Sequence, residues 1–331
     1  MSWCIAARRE LLIMNKLIFI FTAAAMGFTC FGAPLDKKNV AGDAQWLAHL
    51  DFENLKDTKM GAFLLARLHE EIAKNNDSPI SIDVGLVAEE LHSLTAYGSS
   101  ISENPQKNSV LIVKTGDRAR SIIDGYLATL EMETDGKSGV KRLDDKAHDT
   151  YLVGNEVYAT FLEDDVWVSS KSYEQIEKVQ RVIEGGIKNI EDSDSRLMRA
   201  DEPGFFFLAT VEGFDAIADM PAQARVLQKA QGGQIALGEQ GDMFKTKITL
   251  STPDAETSSQ LSRIVQGMVA LASFAEVGDE QLNTLMDNFV VEEEESLVSI
   301  GLEYPVESLI NIMTTLADEG RKAMNEDNEE G

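Results

Sequence analysis

This sequence of 331 residues contains almost no cysteine, and the positions of its cysteines exclude several chemistries. The two cysteines, Cys4 and Cys30, both lie within the first 33 residues. The rest of the chain therefore has no disulfide, no thiol nucleophile and no cysteine-based metal site. A chain with about 300 further residues needs no such crosslinks, because it buries a large fraction of its surface.

Histidine is also scarce, with four in the chain, and catalytic motifs of fixed spacing are missing. His69 and Glu70 begin like a zinc-protease helix, but Ala73 stands where the second histidine ligand is required. Residues 97–101 lack the second glycine of the serine-hydrolase turn. Residues 238–241 lack the lysine and hydroxyl residue of a phosphate-binding loop. The sequence therefore predicts no metal and no cofactor, and it leaves the catalytic residues unknown.

Basic residues are few relative to acidic ones. Lys and Arg total 30 against 56 Asp and Glu, which gives a formal net charge of −26. Nucleic-acid binding depends on clustered Lys and Arg that neutralise phosphates, so this class of partner is excluded. The same charge argues against binding to an anionic membrane surface. The partners that stay open are another protein and an extracytoplasmic ligand.

The acidic residues form three dense clusters, at residues 164–165, 192–194 and 292–295. We interpret each cluster as a solvated loop. The cluster at 192–194 lacks the glycine and glutamate spacing of a calcium-binding EF-hand loop. Pairs of dispersed carboxylates nevertheless leave open general acid–base catalysis by a hydrolase.

Long apolar runs are missing except near the start of the chain. In residues 14–33, Lys16 precedes an apolar run at 17–28, and small residues follow it. This order is typical of a secretory signal peptide. The run is short for a helix that must cross a hydrocarbon core of roughly 30 Å. We therefore predict a signal peptide over residues 1–33 and an extracytoplasmic, periplasmic or secreted, location.

The details of this leader are also predicted. Met14 is the better start, because from there the leader has the usual compact form. Cleavage is expected after Gly32, since Cys30 and Gly32 supply the two small residues that precede the cut. An uncleaved membrane anchor and a lipid anchor on Cys30 are the alternatives. No further transmembrane segment is expected after the signal.

Two stretches after the leader have similar patterns. With one residue inserted, residues 47–57 and 208–219 match apolar to apolar and acid to acid. The patterns that follow also recur in one order: a strand, an amphipathic helix, a hairpin with an acidic turn, and a final helix. We interpret this as an internal duplication. The predicted first α+β unit covers residues 34–190, the second covers 201–320, and 321–331 form an acidic disordered tail.

The connections within each unit favour an α+β fold with an antiparallel or mixed sheet and helices packed on one face. Hairpins are predicted where short acidic turns separate two strand-like segments. Thr252, which precedes Pro253, is predicted to cap the helix of the second unit. That helix carries an apolar stripe that includes Ile264, Met268 and Leu271, and we interpret it as a packing face.

The strongest apolar run after the leader is at residues 204–208, which contain three consecutive phenylalanines. We interpret it as a strand buried on both faces, with an exposed edge as the alternative.

Three functions are compatible with these features. The first is an exported, non-catalytic binding, scaffold or envelope-associated protein, favoured by the missing catalytic motifs. The second is an extracytoplasmic hydrolase that uses dispersed carboxylates in a cleft between the two units. The third is an inhibitor or regulator of an exported enzyme, for which residues 74–79 and 98–108 are the candidate protruding loops.

Overall fold

The computed structural model describes most of the chain after the leader. The described residues are 32–74, 84–101, 106–133, 139–146, 148–154, 156–163, 165–193, 195, 197, 204–214, 227–274 and 284–329. Apart from Gly32 and Ala33, the predicted signal peptide lies outside them. So does most of the predicted loop at 74–79, and part of the loop at 98–108.

Helices and antiparallel strands together form an α+β fold with a large antiparallel sheet. Within the described ranges, the helices of five or more residues are α1 (Phe52–Lys56), α2 (Lys59–Lys74), α3 (Val84–Glu90), α4 (Ala119–Glu133), α5 (Tyr173–Ile183), α6 (Ala255–Phe274) and α7 (Val306–Glu329). The strands are β1 (Trp46–Asp51), β2 (Leu91–Gly98), β3 (Ser109–Thr115), β4 (Val140–Leu143), β5 (Thr150–Val153), β6 (Val157–Glu163), β7 (Val166–Ser170), β8 (Phe205–Glu212), β9 (Gly232–Gln240), β10 (Met243–Ser251), β11 (Phe289–Glu294) and β12 (Leu297–Pro305).

Contacts within the chain group it into two compact units. The first comprises Met1–Asp201 and Ala209–Glu212, and the second comprises Glu202–Leu208 and Gly213–Gly331. No helix in the described ranges is both long enough and apolar enough to pass through a membrane.

The strands of the first unit follow the order β1-β2-β3-β7-β6-β5-β4. Every neighbouring pair is antiparallel. The hairpin predicted from the acidic turn near residue 164 is confirmed as β6 and β7, in which Phe161 pairs with Trp167. Their rings pack edge to face with centroids 4.7 Å apart.

The second unit has the order β8-β9-β10-β12-β11, and the pairs from β9 onward are antiparallel. The second predicted hairpin is confirmed as β11 and β12. The strand order of this unit matches β1-β2-β3-β7-β6 of the first unit. In both, a helix follows the third strand and another follows the hairpin, while the pair β4–β5 is found only in the described part of the first unit.

The central strands of the first unit are buried on both faces. Ile112 and Val113 of β3 are 2% and 1% exposed, and consecutive strand residues point to opposite faces. On α5 the buried residues Ile176, Val179 and Val182 recur at three-residue steps. Because both faces of β3 are covered, the prediction that the helices pack on a single face of the sheet is not confirmed for this unit.

In the second unit, alternate residues of β12 contact two helices. Val298 and Ile300 belong to the cluster that contains Leu261 of α6. Leu302 packs in the cluster that contains Ile312 of α7. Because alternate residues of a strand share a face, α6 and α7 pack on the same face of β12.

The predicted cap of α6 is wrong. The carboxylate of Asp254 accepts a hydrogen bond from the Thr257 N–H at 2.7 Å, which lowers the pKa of Asp254. The hydroxyl of Thr252 instead donates to the carbonyls of Asp254 and Ser296, each at 3.0 Å. Asp254 lies three residues before the N–H that it caps, and this is the spacing an N-cap requires.

Two further segments differ from expectation. The apolar run at 204–208 enters β8, in which Phe206 and Leu208 are buried while Phe205 and Phe207 are half-buried. One face of β8 is therefore covered more fully than the other. Helix α7 continues to Glu329, into the residues predicted as a disordered tail. Its Glu, Lys, Ala and Met residues are all good helix formers, which favours this continuation.

Candidate functional site

An open polar pocket of about 600 Å³ lies in the first unit. It is lined by Arg120 at the start of α4, by residues near β4 and β5, and by the end of β6. The charged lining residues are three cations, Arg120, Arg142 and Lys146, and three acids, Asp144, Asp149 and Glu163. Its formal charge is therefore balanced, unlike that of the chain as a whole.

The cations of this pocket already have partners. The carboxylate of Asp149 binds both Arg120 and Arg142, the latter at 2.5 Å. The Arg120 guanidinium also lies 5.4 Å from the centroid of the Phe161 ring. The Lys146 ammonium lies 4.3 Å from the centroid of the Tyr173 ring. This network fixes the wall of the pocket, and the described lining contains no serine, threonine or cysteine that could act as a nucleophile.

Two acidic side chains in the described part of the chain are buried, and both bind backbone N–H groups. Glu90 accepts hydrogen bonds from the Arg118 backbone N–H at 3.0 Å and from Nε at 2.7 Å. Asp51 accepts from the backbone N–H groups of Ala33 and Asn54, each at 2.9 Å. These contacts give both carboxylates structural hydrogen-bond partners. The hydrolase interpretation therefore gains no support from them.

His49 is a buried structural histidine. Its Nε2 lies 3.1 Å from the Ala33 carbonyl oxygen, so this nitrogen donates. In the neutral ring Nδ1 then accepts from the Thr95 hydroxyl at 2.9 Å. Burial lowers the pKa of His49 to about 4. His69 is exposed, and its Nδ1 donates to the Leu65 carbonyl.

No group of three or more metal-binding side chains is present in the described ranges.

The second unit exposes a row of apolar side chains on α6. Ile264, Met268 and Leu271 are 39%, 49% and 72% exposed, and their spacing of four and three residues places them on one helix face. Leu261 and Val265, each three residues before a member of this set, are buried on the adjoining part of the helix surface. We call Ile264, Met268 and Leu271 the α6 row. A surface helix normally exposes a polar face, so this row is the strongest candidate for a binding surface.

Helix α6 packs beside an acidic sheet edge. Val291 of β11 packs against the cluster that contains Val265 of α6. β11 is the last strand in the order and pairs with β12. Val290 is 56% exposed, and residues 292–295 are all exposed glutamates. Acidic side chains on such an edge oppose pairing with further strands.

Sequence reasoning identified the residues of the α6 row but assigned them to packing. The helical period shows which residues share a face, but it does not show whether another element covers that face. One signal was available. From Ile264 onward the apolar residues extend around most of the helix, which is wider than one packing face needs.

Comparisons with known proteins establish similarity in fold. No family model matches the chain, and no curated protein matches it either. Crystal form III of TP0453 is similar, with a TM-score of 0.50 and 9% sequence identity over 86% of this chain and 99% of that chain. Crystal form I of TP0453 gives a TM-score of 0.46 and 10% identity over 86% of this chain and 98% of that chain. At such identity, the likeness to crystal form III concerns the α+β fold with its large antiparallel sheet, and function has to be argued from the site.

Proposed function

We propose that this protein is an exported, non-catalytic binding protein of the cell envelope, and that it binds its partner through the α6 row. The observation that supports this is the exposure of Ile264, Met268 and Leu271 on a helix whose adjoining apolar residues are buried. Exposed apolar patches of this kind mark interaction surfaces in soluble proteins. The export part of the proposal depends on the signal-peptide pattern of residues 14–33.

The partner that fits this surface is an amphipathic helix of another exported protein. The α6 row spans eight residues, or about 10 Å along the helix axis, which suits the apolar stripe of a second helix. The exposed glutamates at 292–295 favour Lys or Arg beside that stripe. They disfavour an anionic lipid surface, because charges of the same sign repel each other.

Site-specific crosslinking in the native envelope tests this proposal. A photoreactive amino acid at Met268 is expected to crosslink one protein partner. The same probe at Glu256, which is exposed near the start of the same helix, is the matched control and is expected to give none. Crosslinks to lipid, equal crosslinking at both positions, or none at Met268 would contradict the proposal.

A binding measurement with the purified partner completes the test. Leu271→Asp is expected to weaken binding at least about tenfold, because it places a charge in the apolar contact. Glu256→Gln is expected to leave the affinity unchanged. Binding is also expected to weaken with added salt if the glutamates at 292–295 contribute. Unchanged affinity of Leu271→Asp would remove the α6 row from the interface.

The two units are also proposed to descend from one duplicated α+β unit. The shared order β1-β2-β3-β7-β6 and β8-β9-β10-β12-β11 supports this. The helices at equivalent places in the two orders support it further. Superposing the five strands of each unit in an experimental structure is the test. Equivalent register and helix placement are expected, and helices on opposite faces of the equivalent strands would contradict it.

A further inference from the structure

The backbone of Ala33 is held at both ends by two buried side chains of β1. Its N–H donates to Oδ1 of Asp51 at 2.9 Å, and its carbonyl accepts from Nε2 of His49 at 3.1 Å. Asp51 is 4% exposed and His49 is 5% exposed. The two side chains lie on the same face of β1, since they are two residues apart. A residue 16 to 18 positions away in sequence thus has a dedicated polar binding site.

The space around residue 32 is equally restricted. A Cβ atom on Gly32 would lie 2.5 Å from both Oδ2 of Asp51 and Nδ2 of Asn54. These two atoms are themselves hydrogen-bonded at 2.7 Å, so neither moves freely. The site therefore accepts glycine at position 32, or a chain that begins at Ala33.

We propose that the leader is removed between Gly32 and Ala33, and that the α-ammonium group so created on Ala33 binds the buried carboxylate of Asp51. The inference depends on the export part of the proposed function. A signal peptidase adds one water across the Gly32–Ala33 peptide bond. Gly32 leaves with a carboxylate, and the Ala33 nitrogen becomes an ammonium group. The cut precedes folding, because in the folded chain this bond lies against the Asp51 and Asn54 side chains.

The charges around Asp51 favour such a group. In the uncut chain its donors among the described residues are the N–H of Ala33 and the N–H and side-chain amide of Asn54, all neutral. The nearby cation Lys114 is engaged by Asp36 at 3.0 Å, and His49 beside it is neutral at pH 7. A buried carboxylate is costly without a counter-charge. An ammonium group on Ala33 provides one with charge-assisted hydrogen bonds.

The first experiment compares the exported wild type with Gly32→Ala. Mass spectrometry of the wild type is expected to find a mature chain that begins at Ala33 with a free α-amine. Alanine also suits the position before a signal-peptidase cut, so both precursors are expected to give the same mature protein with the same Tm. A lower Tm for Gly32→Ala would show that residue 32 is retained, and this would overturn the inference.

The second experiment tests the ion pair through Asp51→Asn. Asparagine still caps α1, so this variant removes the charge and keeps the cap. The Tm of the mature protein is expected to fall by roughly 2–4 °C or more, and the α-amine is expected to acylate several-fold faster. Asp43→Asn is the matched control, because Asp43 is exposed and pairs with Lys178 at 2.6 Å. Equal acylation rates in the wild type and Asp51→Asn would overturn the ion pair.

The location of the protein separates this inference from the proposed function. An exported chain that begins at Cys30 with a lipid, or that keeps its leader, overturns the inference and leaves the binding function standing. A chain that remains in the cytoplasm overturns both.

Discussion

The two units share the order of five strands, yet they differ in the ionisable side chains that they bury and in the apolar side chains that they expose. The first unit buries His49, Asp51 and Glu90. The buried polar side chains of the second unit, outside the residues that the structure leaves undescribed, are the hydroxyl residues Thr252, Ser258 and Ser262. All five large apolar side chains that are exposed in the described ranges belong to the second unit, namely Ile264, Met268, Leu271, Val290 and Leu316.

Under the proposed function, this difference gives the two units separate roles. Buried ionisable groups require fixed partners, so they define unique positions for the segments they hold, such as Ala33 at Asp51. Exposed apolar groups gain stability when another surface covers them. Units with a shared strand order can therefore differ in role. In the two proposals above, the first unit anchors its own chain and the second unit binds a partner.

The largest expected effect is in the core of the first unit. Phe52→Ala removes a side chain with 0% exposure, so the free energy of unfolding is expected to fall by about 3–5 kcal/mol. Phe205→Ala, at a half-buried position in the second unit, is the control and is expected to cost less. Urea unfolding followed by circular dichroism measures both. Equal losses would show that burial does not separate these positions.

The core of the second unit is expected to show the next largest effect. Leu261→Ala, at 0% exposure, is expected to lower the free energy of unfolding by about 2–4 kcal/mol. Leu271→Ala, at 72% exposure on the same helix, is expected to change it by less than about 0.5 kcal/mol. Thermal and urea unfolding of both variants provide the measurement. A large loss for Leu271→Ala would mean that the α6 row is part of the core.

The stability of the first unit is expected to depend on pH through His49. Its folded-state pKa of about 4 lies below the ordinary 6.5, so the unfolded chain takes up a proton that the folded chain does not. Stability from this group is complete above pH 6.5 and is lost as the pH falls toward 4. We expect a loss of about 2 kcal/mol between pH 7 and 5.

Urea titrations at both pH values measure this loss. His49→Gln is expected to flatten the dependence, and the control His69→Gln, at an exposed position, is expected to preserve it. An unchanged slope in His49→Gln would contradict the assignment.

The smallest effect is expected at Glu90. Its hydrogen bonds raise the pKa of Arg118, and Glu90→Gln is expected to lower the free energy of unfolding by about 1–2 kcal/mol, since it weakens a charge-assisted bond at a buried position. Glu89 lies 3.3 Å from the same guanidinium but is 67% exposed. Glu89→Gln is therefore expected to cost less than about 0.5 kcal/mol. Chemical denaturation at neutral pH compares the two, and equal costs would show that burial does not strengthen the pair.

Local patterns predicted much of the fold. Both hairpins and the helices between and after the strands were identified, because alternation, helical periodicity and acidic turns depend on residues close in sequence. The cap of α6 was missed because Thr252 and Asp254 are both good N-cap residues. The choice depended on the Ser296 carbonyl, which accepts from the Thr252 hydroxyl across 44 positions.

The candidate sites depend more strongly on distant contacts. The sequence by itself determined the composition of the α6 row, the acidic cluster at 292–295 and the pattern of the leader, since each is a property of neighbouring residues. Tertiary structure alone decided that Leu261 and Val265 of α6 are buried while the adjoining α6 row is exposed. It also decided that Asp51 and His49 bind Ala33. Burial and long-range hydrogen bonds depend on which segments meet in space, and periodicity along the chain carries no information about that.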